Sequence, residues 1–395
     1  MRVLVAGGGI GGLTAALCFA NRGAQVVVFE QAKAFTDVGA GLQLSPNAMK
    51  VLIWLGLGSA IEGAGFAPEF AEMRMGESGQ TVFKFPLGDG KSSEKRWGAP
   101  YRHIHRADFV QVLHTALQQF DCVDLVNAEA ADSYEQDGER LTLKLNSGRV
   151  EHGDCIVAAD GIHSAIREHM LGPDQPRFTG NIAWRGIAPM EALGEMLPDP
   201  NATIWLGRGK HVVTYRLRGG TVANFVGVVE TSNWYGEGWY EEGTRDDAFA
   251  DFKGWHPIVR SLIEAAPQLF KWGLFDRPRL ERWVDGRVAL LGDAAHPMLP
   301  FMAQGAGQAI EDAFILAREV MEGGPTDEAL KRYEGIRKPR ATRVQDVSRG
   351  NATLFHHRSA ARRFATYGPM WMAGKLAPRA IMAQQDWLYG YDPVA

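Results

Sequence analysis

Residues 1–30 read MRVLVAGGGIGGLTAALCFANRGAQVVVFE, and the reading of this stretch decides the fold. Val3 to Ala6 is a short apolar run suited to a fully buried strand. Gly7, Gly8, Gly9, Gly11 and Gly12 break it, and LTAALCFANRG follows at helical spacing with Gly23 as its stop. Ala24 to Phe29 is a second buried strand, closing on Glu30. The result is a strand–helix–strand unit whose first turn carries Gly7-x-Gly9-x-x-Gly12. In that spacing the first glycine makes the tight turn, the second lets a pyrophosphate approach the backbone, and the third lets the helix pack on the strand. The helix N-terminus offers free N–H groups and partial positive charge to phosphates. Glu30 ends the second strand about 20 residues on, where a carboxylate meets ribose hydroxyls. That acid disfavours a 2′-phosphorylated adenosine and leaves FAD or NAD.

Two further motifs repeat the strand-then-turn arrangement. Cys155 to Ala159 is a buried strand followed by Asp160-Gly161-Ile-His-Ser164-Ala-Ile-Arg167. Arg287 to Leu291 is another, followed by Gly292-Asp293-Ala-Ala-His296-Pro297, then Pro300 and Gly305-Ala306-Gly307-Gln308 at the head of a long helix. Helices are expected at 45–56, with Ser45 as N-cap and Pro46 at its first position, and at 107–120, 303–322 and 326–348. Two alternating strands are expected around 129–145. Residues 69–105 read as short alternating strands broken by a polar loop, GDGKSSEKRWG. Residues 179–230 are strand-rich and read as an antiparallel sheet inserted into a parallel scaffold. The C-terminal tail, rich in Arg, Trp and Met, reads as helices packed on the body.

The chain has 395 residues, 46% hydrophobic and 22% charged, with a formal net charge of −4. That is ample for two soluble domains and argues against a nucleic-acid-binding surface. Three cysteines without a CxxC support neither a disulfide framework nor a zinc knuckle, and suit a reducing cytoplasm. No run approaches the roughly 20 apolar residues that span a bilayer, so no membrane is expected. His103/His105 and His356/His357 lack further ligands at metal spacing, so no metal is expected. Ser164 beside His163 lacks the GxSxG of a hydrolase elbow. No second GxGxxG occurs, so a flavoprotein of the dehydrogenase type with two Rossmann domains is not expected.

In its ordered GxGxxG, DGxxSxxR and GDAAHP motifs the chain resembles the flavin-dependent aromatic hydroxylases typified by para-hydroxybenzoate hydroxylase. The likeness runs from residue 1 to about 350 and is nearest to the branch of salicylate hydroxylase and the hydroxybenzoate and hydroxynicotinate monooxygenases. The resemblance implies an α/β fold with an α+β insert: a Rossmann-like FAD-binding domain (1–70, 101–178, 277–350), an interleaved antiparallel-sheet substrate domain (71–100, 179–276) and a helical tail (351–395). It implies non-covalent FAD, NADH or NADPH as donor, and hydroxylation by O₂ of a phenolic, salicylate-like acid through a flavin C4a-hydroperoxide. The expected partners are thus a small aromatic substrate and O₂, for a monomer or homodimer. Rival readings are a flavin oxygenase of a non-aromatic or antibiotic-like substrate and a non-catalytic FAD redox sensor.

By the same resemblance Gly7, Gly9, Gly11, Gly12, Glu30, Arg106, Asp160, Gly292, Asp293, Gly305, Ala306 and Gly307 hold the cofactor. Asp293 takes a ribityl hydroxyl, and the helix near Gly305 points its positive end at the flavin. Asn47, His211, Tyr215, Pro300 and Phe301 line the substrate chamber. Asn47 stands where the hydroxynicotinate enzyme has a histidine, a departure from that substrate. In a strand, residues 211, 213 and 215 share one face, so His211 and Tyr215 are the catalytic candidates. His296 reads as part of the GDAAHP turn. No arginine among Arg185, Arg208 and Arg216 stands out as a partner for a substrate carboxylate.

Overall fold

The computed structural model of the protein describes all residues except 34–40, 89–90, 139, 233 and 235–240. A six-stranded sheet forms the floor, in the order Val284–Asp285, Val288–Leu290, Cys155–Ala158, Arg2–Ala6, Gln25–Glu30, Val123–Asn127. All its pairings are parallel except that of the two-residue edge strand Val284–Asp285. The central strands are apolar without alternation because both faces are covered. Helix Ile10–Ala20 packs against helix Gly305–Glu322 over one of those faces.

An eight-stranded sheet forms a roof: Glu241–Glu242, Leu269–Asp276, Arg177–Pro189, Val222–Glu230, Lys210–Leu217, Ala202–Gly207, Phe70–Met75, Thr81–Pro86. It is antiparallel as expected, save that Ala202–Gly207 runs parallel to Phe70–Met75. The strands of 69–86 thus join the inserted sheet. A two-stranded ribbon, Gly41–Leu44 with Arg102–His105, is a third sheet. Ala131–Asp137, Arg140–Leu145 and Val150–Gly153 form a fourth, one strand more than the sequence suggested.

Three local expectations need correction. Lys91–Trp97, read as part of a polar loop, is a helix. Glu94 lies in its first turn and Lys95 and Arg96 in its last, favourable to the helix dipole. Its end is fastened from far along the chain. Arg96 donates twice to Asp386 (2.7 and 2.6 Å), Trp97 Nε1 donates to the same carboxylate (2.8 Å), and the Trp97 ring meets Tyr389 edge-on. Ser45 precedes helix Pro46–Trp54 but makes no side-chain cap; its hydroxyl is used elsewhere. The helix expected over 326–348 continues to Phe355. Helix Ala360–Leu376 then packs along the roof's edge strand Thr81–Pro86.

Candidate active site

A cavity of about 320 Å³ lies between the carboxyl ends of the floor strands and one face of the roof. Open α/β sheets place ligands at this edge. Gly9, Gly161 and Gly292 come from the turns after three adjacent strands, and all line it.

The first turn is shaped by what its glycines exclude. Gly7 adopts φ +101°, and a Cβ there would sit 2.3 Å from Ala159 O; at Gly12 it would sit 1.9 Å from Gly7 O. A Cβ on Gly9 would meet nothing within 4 Å, so this position faces open space and lets a ligand reach the backbone. Glu30 Oε2 accepts from Gly8 N (2.7 Å) and Oε1 from Ala32 N (2.8 Å), tying the glycine turn to the end of the second strand.

The second and third turns are clasped together. Ser164 caps helix Ala165–Leu171 by accepting from Arg167 N (2.9 Å). Arg167 donates to Ile162 O (2.6 Å) and across to Ala294 O (3.2 Å). The DGxxSxxR spacing is thereby explained. Asp160 does not line the cavity, but its Oδ1 is buried without a hydrogen-bond partner. Asp293 lines the cavity and is exposed to it. Desolvation raises its pKa, against the charges of His296, Arg106 and Arg167. Arg106 heads helix Arg106–Leu117 and lines the cavity.

Helix Gly305–Glu322 aims its N-terminus into the same space: Gln304, Gly305 and Ala306 line it, whereas Gly307 is buried just behind. Its seat is a buried polar cluster that sequence reading missed. Asn47 does not face the cavity; its amide donates to Glu311 Oε1 (2.6 Å) and Gln304 Oε1 (3.2 Å), while Gln304 donates to Ser45 (2.9 Å). Glu311 and Asp312 are fully buried and share Arg337, itself fully buried. Asp312 also accepts from Gly292 N (3.1 Å) and contacts His296 Nε2 (2.5 Å), which turns His296 away from the cavity. Burial works to raise the Asp312 pKa, yet His296 and Arg337 hold it at about 2. Only the residue types of Glu311, Asp312 and Arg337 could hint at this cluster, since its members lie far apart in sequence.

On the roof, Arg185, Val226 and Val213 are partners in register on three adjacent strands, and all line the cavity. Tyr215 lies two residues beyond Val213 on the same face and lines it too. Burial pushes its pKa well above the usual tyrosine value, with Arg185 acting in opposition. The ring packs 4.7 Å from His103 and lies so close to Gly41 that a Cβ there would be 2.4 Å from it. His211 shares the face of Tyr215 but points beyond the cavity. Its ring lies against Phe301 (5.3 Å), which is likewise outside the lining, whereas Pro300 is inside. His211 Nδ1 is 2.7 Å from His356 Nε2, and His356 Nδ1 is 3.1 Å from Glu230, which accepts from the exposed Arg358. Burial, then His356, holds the His211 pKa well below 6.5.

This arrangement fits a dinucleotide with a flat ring system: open backbone at Gly9, an acid at Asp293, a positive helix end at Gly305, and an apolar roof. The family described as FAD binding domain matches residues 1–348. A 3-amino-4-hydroxybenzoate 2-monooxygenase of Streptomyces platensis is 37% identical over 396 residues, covering 99% of this chain and 96% of the relative. A 3-hydroxybenzoate 6-hydroxylase of Aquipseudomonas alcaligenes is 38% identical over 396 residues, covering 99% and 98%. The structure of Klebsiella pneumoniae HpxO complexed with FAD and uric acid matches with a TM-score of 0.88 at 27% identity, covering 100% of this chain and 98% of the other.

Proposed function

This chain belongs to the FAD binding domain family, and from that premise we propose that it hydroxylates a phenolic aromatic acid, salicylate-like in class, using NAD(P)H and O₂. It is an FAD-dependent monooxygenase of the aromatic hydroxylase type. The observation that carries the substrate reading is the cavity between three motif turns and a sheet face bearing Tyr215, Val213 and Val226. The two hydroxybenzoate-acting relatives support it.

Bound FAD supplies the electron transfer from NAD(P)H and the activation of O₂. Asp293 would hold the cofactor there by accepting hydrogen bonds from its hydroxyl groups, which a carboxylate does strongly. The N-terminus of helix Gly305–Glu322 stabilises negative charge placed before it. Val213 and Val226 exclude water from the ring. Tyr215 keeps its proton and orients the phenolic oxygen by donating to it. His211 is neutral near pH 7 and, just beyond the cavity's edge, heads a hydrogen-bonded series through His356 and Glu230 to the surface at Arg358, along which a proton released from the cavity would leave. Free thiols at Cys18, Cys122 and Cys155 suit a cytoplasmic setting, and no helix among the described residues is long and apolar enough to cross a membrane.

The test is a panel of hydroxybenzoates incubated with the FAD-loaded protein, NADH or NADPH and air, with products identified by mass. Substrate-stimulated NAD(P)H oxidation yielding a ring-hydroxylated product is expected. NAD(P)H oxidation that no phenol accelerates would remove the reading.

A further inference from the structure

We propose that the outer face of helix Ala360–Leu376 docks the enzyme on an anionic phospholipid bilayer, lying in the headgroup layer rather than crossing it. None of the helix's residues lines the cavity, so this surface is separate from the active site and does not depend on which substrate is turned over there.

The inner face of this helix is already covered by the roof. Tyr367 is buried, and Gly374 lies so near the edge strand Thr81–Pro86 that a Cβ there would be 2.7 Å from the Phe83 side chain. The outer face is apolar as well. Phe364, Gly368, Met372 and Leu376 recur every fourth residue, which sets them one above another along a helix. Phe364 is 84% exposed, Leu376 81% and Met372 54%. Three large apolar side chains on one stripe form a patch, unlike the single exposed hydrophobics that any surface carries. A helix that is apolar on both sides is built to be buried on both.

Charge decides what covers it. From residue 347 to residue 385 there is no acid, while Arg349, Arg358, Arg362, Arg363, Lys375 and Arg379 give six cations, in a chain whose net charge is −4. Arg349 and Arg358 are neutralised by Asp276 and Glu230. The other four form no ion pair among the described residues. Arg362 and Lys375 are exposed and border the apolar stripe, with the Lys375 ammonium 4.1 Å from the Trp371 ring centroid. Cations on long apolar stems beside such a stripe suit the boundary between headgroups and acyl chains. There the stems cover apolar surface, and the charges reach lipid phosphates. A second copy fits this face less well. Across a two-fold axis, antiparallel helices would set Arg362 towards the partner's Lys375, like charge against like. The acids that bracket the region, Asp346 and Asp386, are already paired with Arg279 and Arg96. The chain's lack of a spanning helix among the described residues is no obstacle, since lying in the interface needs only one apolar face and its flanking cations.

The experiment sediments the FAD-loaded full chain with vesicles of equal parts phosphatidylglycerol and phosphatidylcholine, and with vesicles of phosphatidylcholine alone, at low and at high salt. Wild type should pellet with the anionic vesicles, stay in solution with the neutral ones, and be released by salt. The double variant Phe364→Ser with Leu376→Ser should bind anionic vesicles about 10- to 100-fold more weakly, because two apolar side chains no longer leave water. Arg362→Gln with Lys375→Gln should weaken binding by about 10- to 30-fold, as for two cations taken from a charged surface. Both doubles alter exposed side chains outside the cavity, so flavin content and melting temperature should match wild type. Wild type that stays in solution with anionic vesicles, or pellets equally with both kinds, overturns the proposal. Undiminished binding in either double variant overturns it too. A wild-type dimer that Phe364→Ser with Leu376→Ser turns into a monomer would make a second copy the cover of this face, and would overturn the bilayer.

Discussion

The floor and the roof of the cavity build their halves of the site by different means. On the floor, the three motif turns lie within a few residues of a strand end: Gly9 after Arg2–Ala6, Gly161 after Cys155–Ala158, Asp293 after Val288–Leu290. On the roof, Arg185, Val226 and Val213 meet only because three strands pair in one register. The floor therefore works through backbone shape, and at Gly7 and Gly12 it leaves no room for an added atom. The roof works through side chains and can be retuned one at a time. Substitutions on the floor should change whether flavin is held at all, while those on the roof should change what the held flavin does.

The largest effect is expected at Gly12. A valine there would place its Cβ 1.9 Å from Gly7 O, and relieving such overpacking costs about 1–3 kcal/mol or more. Gly12→Val should purify colourless, with a lowered melting temperature. Wild-type flavin content in that variant would break the link between the floor's glycines and the cofactor. Gly9→Ala sharpens the same point, because nothing within 4 Å opposes the methyl. The apoprotein should melt as wild type does, while FAD binds more weakly because the methyl occupies its approach. Asp293→Ala comes next. It should stay soluble and lose FAD affinity by about 10- to 100-fold, as for a lost hydrogen bond to a charged group. Full flavin occupancy at limiting FAD would remove Asp293 from the polyol.

The same contrast explains what could be read from the sequence. The floor's motifs are contiguous, so the three turns and their place at the strand ends were legible, whereas Glu30 accepts from Gly8 N and Ala32 N and stands outside the cavity lining, which its position at a strand end did not reveal. Strand parity put His211, Val213 and Tyr215 on one face, which the structure bears out. Parity could not say where along that face the cavity ends, and it ends between Val213 and His211. Arg185 could not be told from the other arginines of this sheet, because placing it at the cavity required knowing that Val226 lies between it and Val213. Asn47 and Gln304 looked independent, and only the packed structure makes them common partners of one helix start. The Lys91–Trp97 helix looked like a loop because its fastening, Asp386, lies almost at the other end of the chain.

On the roof the expected effects are smaller and appear in coupling. His211→Phe and Tyr215→Phe should both retain FAD and NAD(P)H-driven reduction. Product formed per NAD(P)H consumed should fall by roughly tenfold, with oxygen diverted to hydrogen peroxide, since an un-ionised phenol is a poor nucleophile. His356→Phe should repeat the His211→Phe result, because the two rings are joined at 2.7 Å. Unchanged coupling in His356→Phe would limit His211 to packing against Phe301.

The smallest effect separates the two regions by pH. His103, on the ribbon strand Arg102–His105, is fully buried among Phe66, Tyr101 and Tyr215. Burial pushes its pKa from 6.5 to about 3. The folded protein therefore refuses a proton that the unfolded chain accepts as pH falls below 6.5. More protons on the unfolded side means that stability rises with pH, so this contribution is intact above 6.5 and erodes from there down towards 3. Between pH 7.5 and 6 one such group costs about 0.8 kcal/mol. His211, His356 and His256 are shifted the same way, chiefly by burial, so the wild-type slope exceeds that of one group. The floor titrates elsewhere: Asp312, held at about 2 against an ordinary 3.8, gives up its contribution only as pH falls from 3.8 through 2. Urea unfolding of wild type and His103→Phe at pH 7.5 and 6 tests this. The difference between the two pH values should shrink by about 0.8 kcal/mol in the variant. Any constant packing change cancels in that double difference, so an identical slope in both proteins would mean that His103 already takes up its proton in the folded state.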